Sequence, residues 1–175
     1  MSGYYIYFIS SLPMLHFGAK PPMALERLIQ LSAELLSQED VRLLEACPQQ
    51  NIYEQKFNQP TLKKWRTFDT ALRNELVKVR SSRKKIDPAK YLRQDGFTEP
   101  AISHLALNAY RSPSILEGER LLDAQRWRFL DELALGHYFD LDFLIVYALK
   151  LLILERWEKI KTADSKKLLE ELIRD

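Results

Sequence analysis

The run Phe143–Leu154 constrains this chain more than any other segment, because its apolar sequence is interrupted only by Lys150. Asp140 stands ready as an N-cap, and the helix expected from Leu141 to about Ile160 carries apolar side chains nearly all round, Trp157 included. A helix without a polar face must be surrounded, either at the centre of a bundle or with one face hidden under a partner. It is too short to cross a bilayer, which takes about 20 consecutive apolar residues. We read it as central, with Ile145, Leu149 and Leu152 deeply buried.

The rest of the chain supplies helices to surround it. Leu25, Leu28, Ile29, Leu31, Leu35 and Leu36 follow helical spacing. Ser37-Gln38-Glu39-Asp40 has the form of a capping box and opens a second helix, to Ala46. Pro48 to Pro60 is polar and reads as a loop. The longest clear helix is expected from about Thr61 to Arg80, with Leu62, Trp65, Phe68, Leu72, Leu76 and Val79 on one face. Asp87-Pro88 opens a short helix through Arg93, Thr98-Glu99-Pro100 another, and Ser114-Ile115-Leu116-Glu117 a third that ends near Gly136. Thr162 is expected to open the last. Tyr4 to Leu15 fits either a short helix or an extended segment; its aromatic content favours strand, yet no partner strand is visible. The expectation is all-α: a single compact multi-helix bundle of about eight helices over residues 1–175, with sub-lobes about 1–93 and 94–175.

Several kinds of chemistry have no support. The five glycines, Gly3, Gly18, Gly96, Gly118 and Gly136, are too scattered for a loop that cradles phosphate. Cys47 is the only cysteine, which excludes an internal disulfide and a multi-cysteine zinc site. His16, His104 and His137 share no metal-ligand spacing with one another. The expectation is therefore no enzyme, no cofactor and no metal. The aromatic opening lacks the basic flank and cleavage site of a signal peptide, so a cytoplasmic location is expected.

Charge is unevenly placed. Residues 61–93 hold 11 basic and 3 acidic side chains, a net of +8 in a chain whose total is +2. Trp65 and Phe68 lie on the apolar stripe, which removes them as base-stacking platforms. Lys63, Lys64, Arg66, Arg73, Arg80, Arg83, Lys84 and Lys85 are the candidates for an exposed face that docks an acidic protein partner. A soluble helical nucleic-acid-binding or regulatory protein that uses the basic segment 61–93 is the alternative. Glu119, Asp123, Arg126 and Leu130 share one helical stripe, and their charges read as a structural network rather than an acid–base pair.

The opening Tyr4-Tyr5-Ile6-Tyr7-Phe8-Ile9-Ser10-Ser11-Leu12-Pro13 resembles that of a bacterial family of unknown function encoded beside V/A-type ATPase subunits. The same family's middle signature is matched by Trp65-x-x-Phe68 leading to Leu72-Arg73-Asn74-Glu75-Leu76. Its later signature is matched by Ser112-Pro113, Glu119-Arg120-x-x-Asp123-x-x-Arg126-Trp127, Tyr138-Phe139 and Leu154-Glu155-Arg156-Trp157. The second half is also similar to one repeat of the funnel-shaped central-stalk subunit of those ATPases, called C in prokaryotes and d in eukaryotes. Glu119, Leu122, Asp123, Arg126 and Trp127 fill the first helix of that repeat; Asp142 and Arg156 approximate the second, without its Asn. The resemblance implies a non-catalytic helical subunit or assembly protein of a V/A-type ion-translocating ATPase, bound to its other subunits and touching the inner membrane only through them. It also implies that Arg156 joins the network of Glu119, Asp123 and Arg126.

Overall fold

The computed structural model describes residues 2–48, 58–93 and 99–174, with side chains over 4–48, 58–93 and 99–163. The loop expected over Pro48–Pro60 lies mostly outside the described residues. Seven α-helices and no strand occur among them: α1 Ser2–Ser11, α2 Leu25–Leu35, α3 Gln38–Ala46, α4 Pro60–Lys84, α5 Pro100–Arg111, α6 Ile115–Leu133 and α7 Leu141–Arg174. The fold is all-α. A 3-10 turn, Pro88–Lys90, stands in place of the short helix expected to reach Arg93.

The chain clusters into two units, residues 1–49 with 133–175, and residues 50–132. In the first of these, α7 gathers α2 and α3 to itself.

In the first unit, α2 and α3 both pack on α7. From Leu144 through Leu149 every residue of α7 is buried, as its all-round apolar sequence requires. Ile145 and Leu149 are buried as expected, whereas Leu152 is only half-buried and Leu151 beside it takes the enclosed position. Polar groups of α7 fix its neighbours: Glu155 Oε1 accepts from the Leu25 amide at the start of α2 (2.6 Å), and the Tyr147 hydroxyl donates to the Pro13 carbonyl (2.8 Å). Burial pushes the Tyr147 phenol up to about 12. Thr162 opens no new helix, because its hydroxyl bonds back to the Glu158 carbonyl and α7 runs on to Arg174.

The N-terminal segment is helical although its aromatics favour strand. A strand needs a partner's backbone groups, while α1 satisfies its own and buries Phe8 and Ile9. The Tyr5 hydroxyl donates to Asp40 Oδ2 of α3 (2.8 Å). Burial, then that carboxylate, raise the Tyr5 phenol above its ordinary range. Ser37 caps α3 through the Asp40 amide.

In the second unit α4 packs on α5. Its N-terminus is fixed by Gln59, whose side chain accepts from the Leu62 amide, and by Pro60 in the first turn. Its C-terminus closes on Lys85 in the left-handed conformation (φ 52°). Ser114 caps α6 through the Glu117 amide. Gly118 lets α6 approach α5, since a Cβ there would overlap the Ala109 carbonyl oxygen.

This packing sets the expected response to two measurements. Leu149→Ala should lower unfolding free energy by about 2–5 kcal/mol in urea denaturation, the range for a deleted core leucine. Burial also pushes the Cys47 thiol from 9.0 up to about 12. The protonated thiol is thus favoured in the folded chain, and its contribution to stability holds below pH 9 and fades as pH rises toward 12. At pH 8 a disulfide reagent should react with Cys47 at least about tenfold more slowly in the folded chain than in urea.

Candidate functional site

Helix α4 divides into a buried stripe and a cationic outer surface. Leu62, Trp65, Phe68, Leu72 and Leu76 are buried, and Phe68 stacks on Phe129 of α6 with ring centroids 4.0 Å apart. Both aromatics of α4 are core residues. Around them α4 carries eight basic and two acidic side chains, counted over Pro60–Lys84. Lys63, Lys64, Arg73, Arg80, Arg83, Lys84 and Lys85 are exposed and Arg66 is half-buried. The seven-residue spacing of Arg66, Arg73 and Arg80 makes one stripe about 21 Å long. Arg83, Lys84 and Lys85 sit at the helix C-terminus, where the helix dipole favours positive charge.

The orientation of this surface depends on an ion cluster behind it. Arg126 of α6 donates from Nε to Asp69 Oδ1 and from Nη1 to Asp123 Oδ1, both at 2.8 Å. Its side chain is 11% exposed, and those of Asp69 and Asp123 are 2% and 1% exposed. The other Asp69 oxygen accepts from Arg73 Nε (2.7 Å) on the outer surface of α4. Burial by itself would lower the pKa of the Arg126 guanidinium, but the charges and hydrogen bonds of the two aspartates raise it overall. The guanidinium is held charged between them, and it ties α6 to α4.

Helical spacing places Asp123 and Arg126 together but does not reach Asp69. A signal for it exists in the sequence: Asp69 stands next to Phe68 on the apolar stripe, where an acid requires a buried cation. Glu119 is half-buried on α6, one turn before Asp123, and lines a separate cleft near the end of α4. Arg156 is an exposed residue of α7 and belongs to the first unit.

Helices α4 and α5 are joined by Glu75, which accepts from Lys78 (2.5 Å) and from the Ser103 hydroxyl (2.8 Å). The Asn74 side chain accepts from the Arg93 amide and donates to its carbonyl, both at 3.0 Å, so the segment after the 3-10 turn is pinned to α4. The cleft near the end of α4, about 430 Å³, is lined by Leu76, Arg80 and Arg83, by Tyr110 of α5, and by Ile115, Glu119 and Leu122 of α6, among others. Arg83 Nη1 donates to the Tyr110 hydroxyl (2.7 Å).

One group of side chains with metal-ligating atoms is present among the described residues, in the turn leading into α7. His137 Nδ1 lies 2.6 Å from Asp140 Oδ2 and 3.9 Å from Asp142 Oδ2. Spacing among the three histidines alone does not join His137 to these acids. Asp140 already has a structural task, since its Oδ1 accepts from the Phe143 amide and caps α7.

The ion cluster yields a sharp stability test. Asp123→Ala leaves a buried guanidinium short of a partner and should cost about 3–5 kcal/mol in urea unfolding at pH 7. A cost near that of an exposed pair, about 0–1 kcal/mol, would mean that Arg126 is solvated in solution.

Residues 100–175 match the model of a family described as "Protein of unknown function (DUF2764)". No curated protein and no solved structure matches the chain. Among the described residues, no helix is long and apolar enough to cross a membrane. The family match spans α5, α6 and α7, and so contains Glu119, Asp123, Arg126 and Arg156.

Proposed function

We propose that the chain is a non-catalytic helical component of a bacterial V/A-type ion-translocating ATPase, similar to the central-stalk subunit and acting as a subunit or an assembly protein. The observation that carries this reading is the buried Asp123–Arg126 pair within the block that resembles the stalk repeat. The two residues are spent on holding α6 to α4 and offer nothing to a substrate. What they leave outward is the cationic surface of α4, which suits an acidic subunit on the cytoplasmic side of the membrane.

Opposite charge at such a surface speeds encounter and fixes orientation more than it sets final affinity. The core position of Trp65 and Phe68 favours this reading over nucleic acid, since neither ring is open for a base to stack upon. In this reading the protein needs no cofactor.

A tagged full-length chain should co-purify with ATPase subunits from cells that express the complex. Reversing Arg83, Lys84 and Lys85 to Glu should slow assembly about tenfold at low salt and leave the helical circular dichroism unchanged. Recovery of no ATPase subunit overturns the proposal. Should the triple variant assemble normally and lose a duplex-DNA gel shift, the segment is a nucleic-acid surface.

A further inference from the structure

We propose that the cleft bounded by α4, α5 and α6 in the second unit binds an acidic segment of a partner protein that carries an apolar residue beside its carboxylate. The cleft, about 430 Å³, is within the range of preformed ligand sites. Its α4 wall presents Arg80 and Arg83, which stand one turn apart on the same side of the helix. Arg83 is held in place by Tyr110: one N–H donates to the hydroxyl, and the guanidinium carbon lies 5.8 Å from the ring centroid. A guanidinium has five N–H donors, so most of its capacity stays open to a carboxylate.

The floor is apolar, made by Leu76 and Leu122, both buried. At the rim Ile115 is 89% exposed, a large apolar side chain at the first position of α6 with nothing covering it. An occupant with a leucine-like side chain would cover Ile115 while its carboxylate reaches the α4 wall. The close approach of α5 and α6 at Gly118 and the Ser114 cap give the cleft its shape before anything binds.

Glu119 decides what kind of anion fits. It lines the α6 wall, so the cleft is cationic on one side and anionic on the other. A polyanion such as nucleic acid would be repelled by Glu119 and would find the Tyr110 ring already beneath Arg83. A single carboxylate can turn toward the α4 wall and place its apolar neighbour between itself and Glu119, so it meets less repulsion than a polyanion and keeps only a weak one from Glu119. The inference rests on α4 being a surface for protein, and it holds for a partner of that chemistry whichever complex supplies it.

The test is fluorescence anisotropy of the full-length chain with a fluorescein-labelled, C-terminally amidated peptide that carries one Glu-Leu pair between Gly-Ser ends. Saturable one-to-one binding is expected. Arg80→Glu with Arg83→Glu should weaken it about tenfold or more, and Ile115→Ser about threefold. Glu119→Gln should tighten it about twofold to fivefold, a gain that a folding defect cannot produce. Lys63→Glu with Lys64→Glu, at the other end of α4, should change it by less than about twofold. Absence of saturable binding overturns the proposal. So does equal loss from the Lys63 and Lys64 reversals, equal binding of a peptide with Ser in place of Leu, or no gain from Glu119→Gln. Peptide binding by a chain that recovers no ATPase subunit would keep the cleft and remove the ATPase; recovery without peptide binding would remove the cleft alone.

Discussion

The second unit depends on one guanidinium. Arg126 is nearly enclosed and bonds to carboxylates from two helices, so neither helix can move without exposing or orphaning a charge. The stacked pair Phe68–Phe129 lies on the same two helices and would tolerate small slips, as apolar contacts do. The ion cluster tolerates none, because its hydrogen bonds have fixed lengths and directions. Together with the buried stripe of α4 it fixes the rotation of that helix about its own axis, and that rotation decides which side chains face outward.

The first unit is specified differently. Its determinant is the apolar sequence of α7, which demands cover on every side and draws α2 and α3 to itself. Directional bonds at the edges then select the arrangement: Glu155 to the start of α2, and Tyr147 to the segment after α1. The two units thus rest on different physics, one on a polar cluster with exact partners and one on apolar burial with polar trim.

Much of this is legible in the sequence, and the reasons are local. Ser37, Asp87, Ser114 and Asp140 each cap the turn that follows them, because a cap is settled within three residues. The buried stripe of α4 is visible from period alone. What escapes depends on distance. Asp69 is hidden because its partner Arg126 lies 57 residues away, although an acid on an apolar stripe is a visible anomaly. The helical state of α1 and the unbroken course of α7 through Thr162 are settled by neighbours and backbone bonding that residue preference does not encode. At the cleft, spacing assigns Glu119 to the network with Asp123; it does not reveal that α4 brings Arg80 and Arg83 to the same opening.

Under the proposed function, the outward surface of α4 meets acidic groups of a partner protein. Zero-length carbodiimide cross-linking tests this most directly, because it joins a lysine amine only to a carboxylate in contact with it. Applied to the assembled complex and read by mass spectrometry, it should link Lys63, Lys64, Lys84 or Lys85 to Asp or Glu residues of an ATPase subunit. Links from the complex that avoid all four lysines and arise only from other parts of the chain would contradict the account.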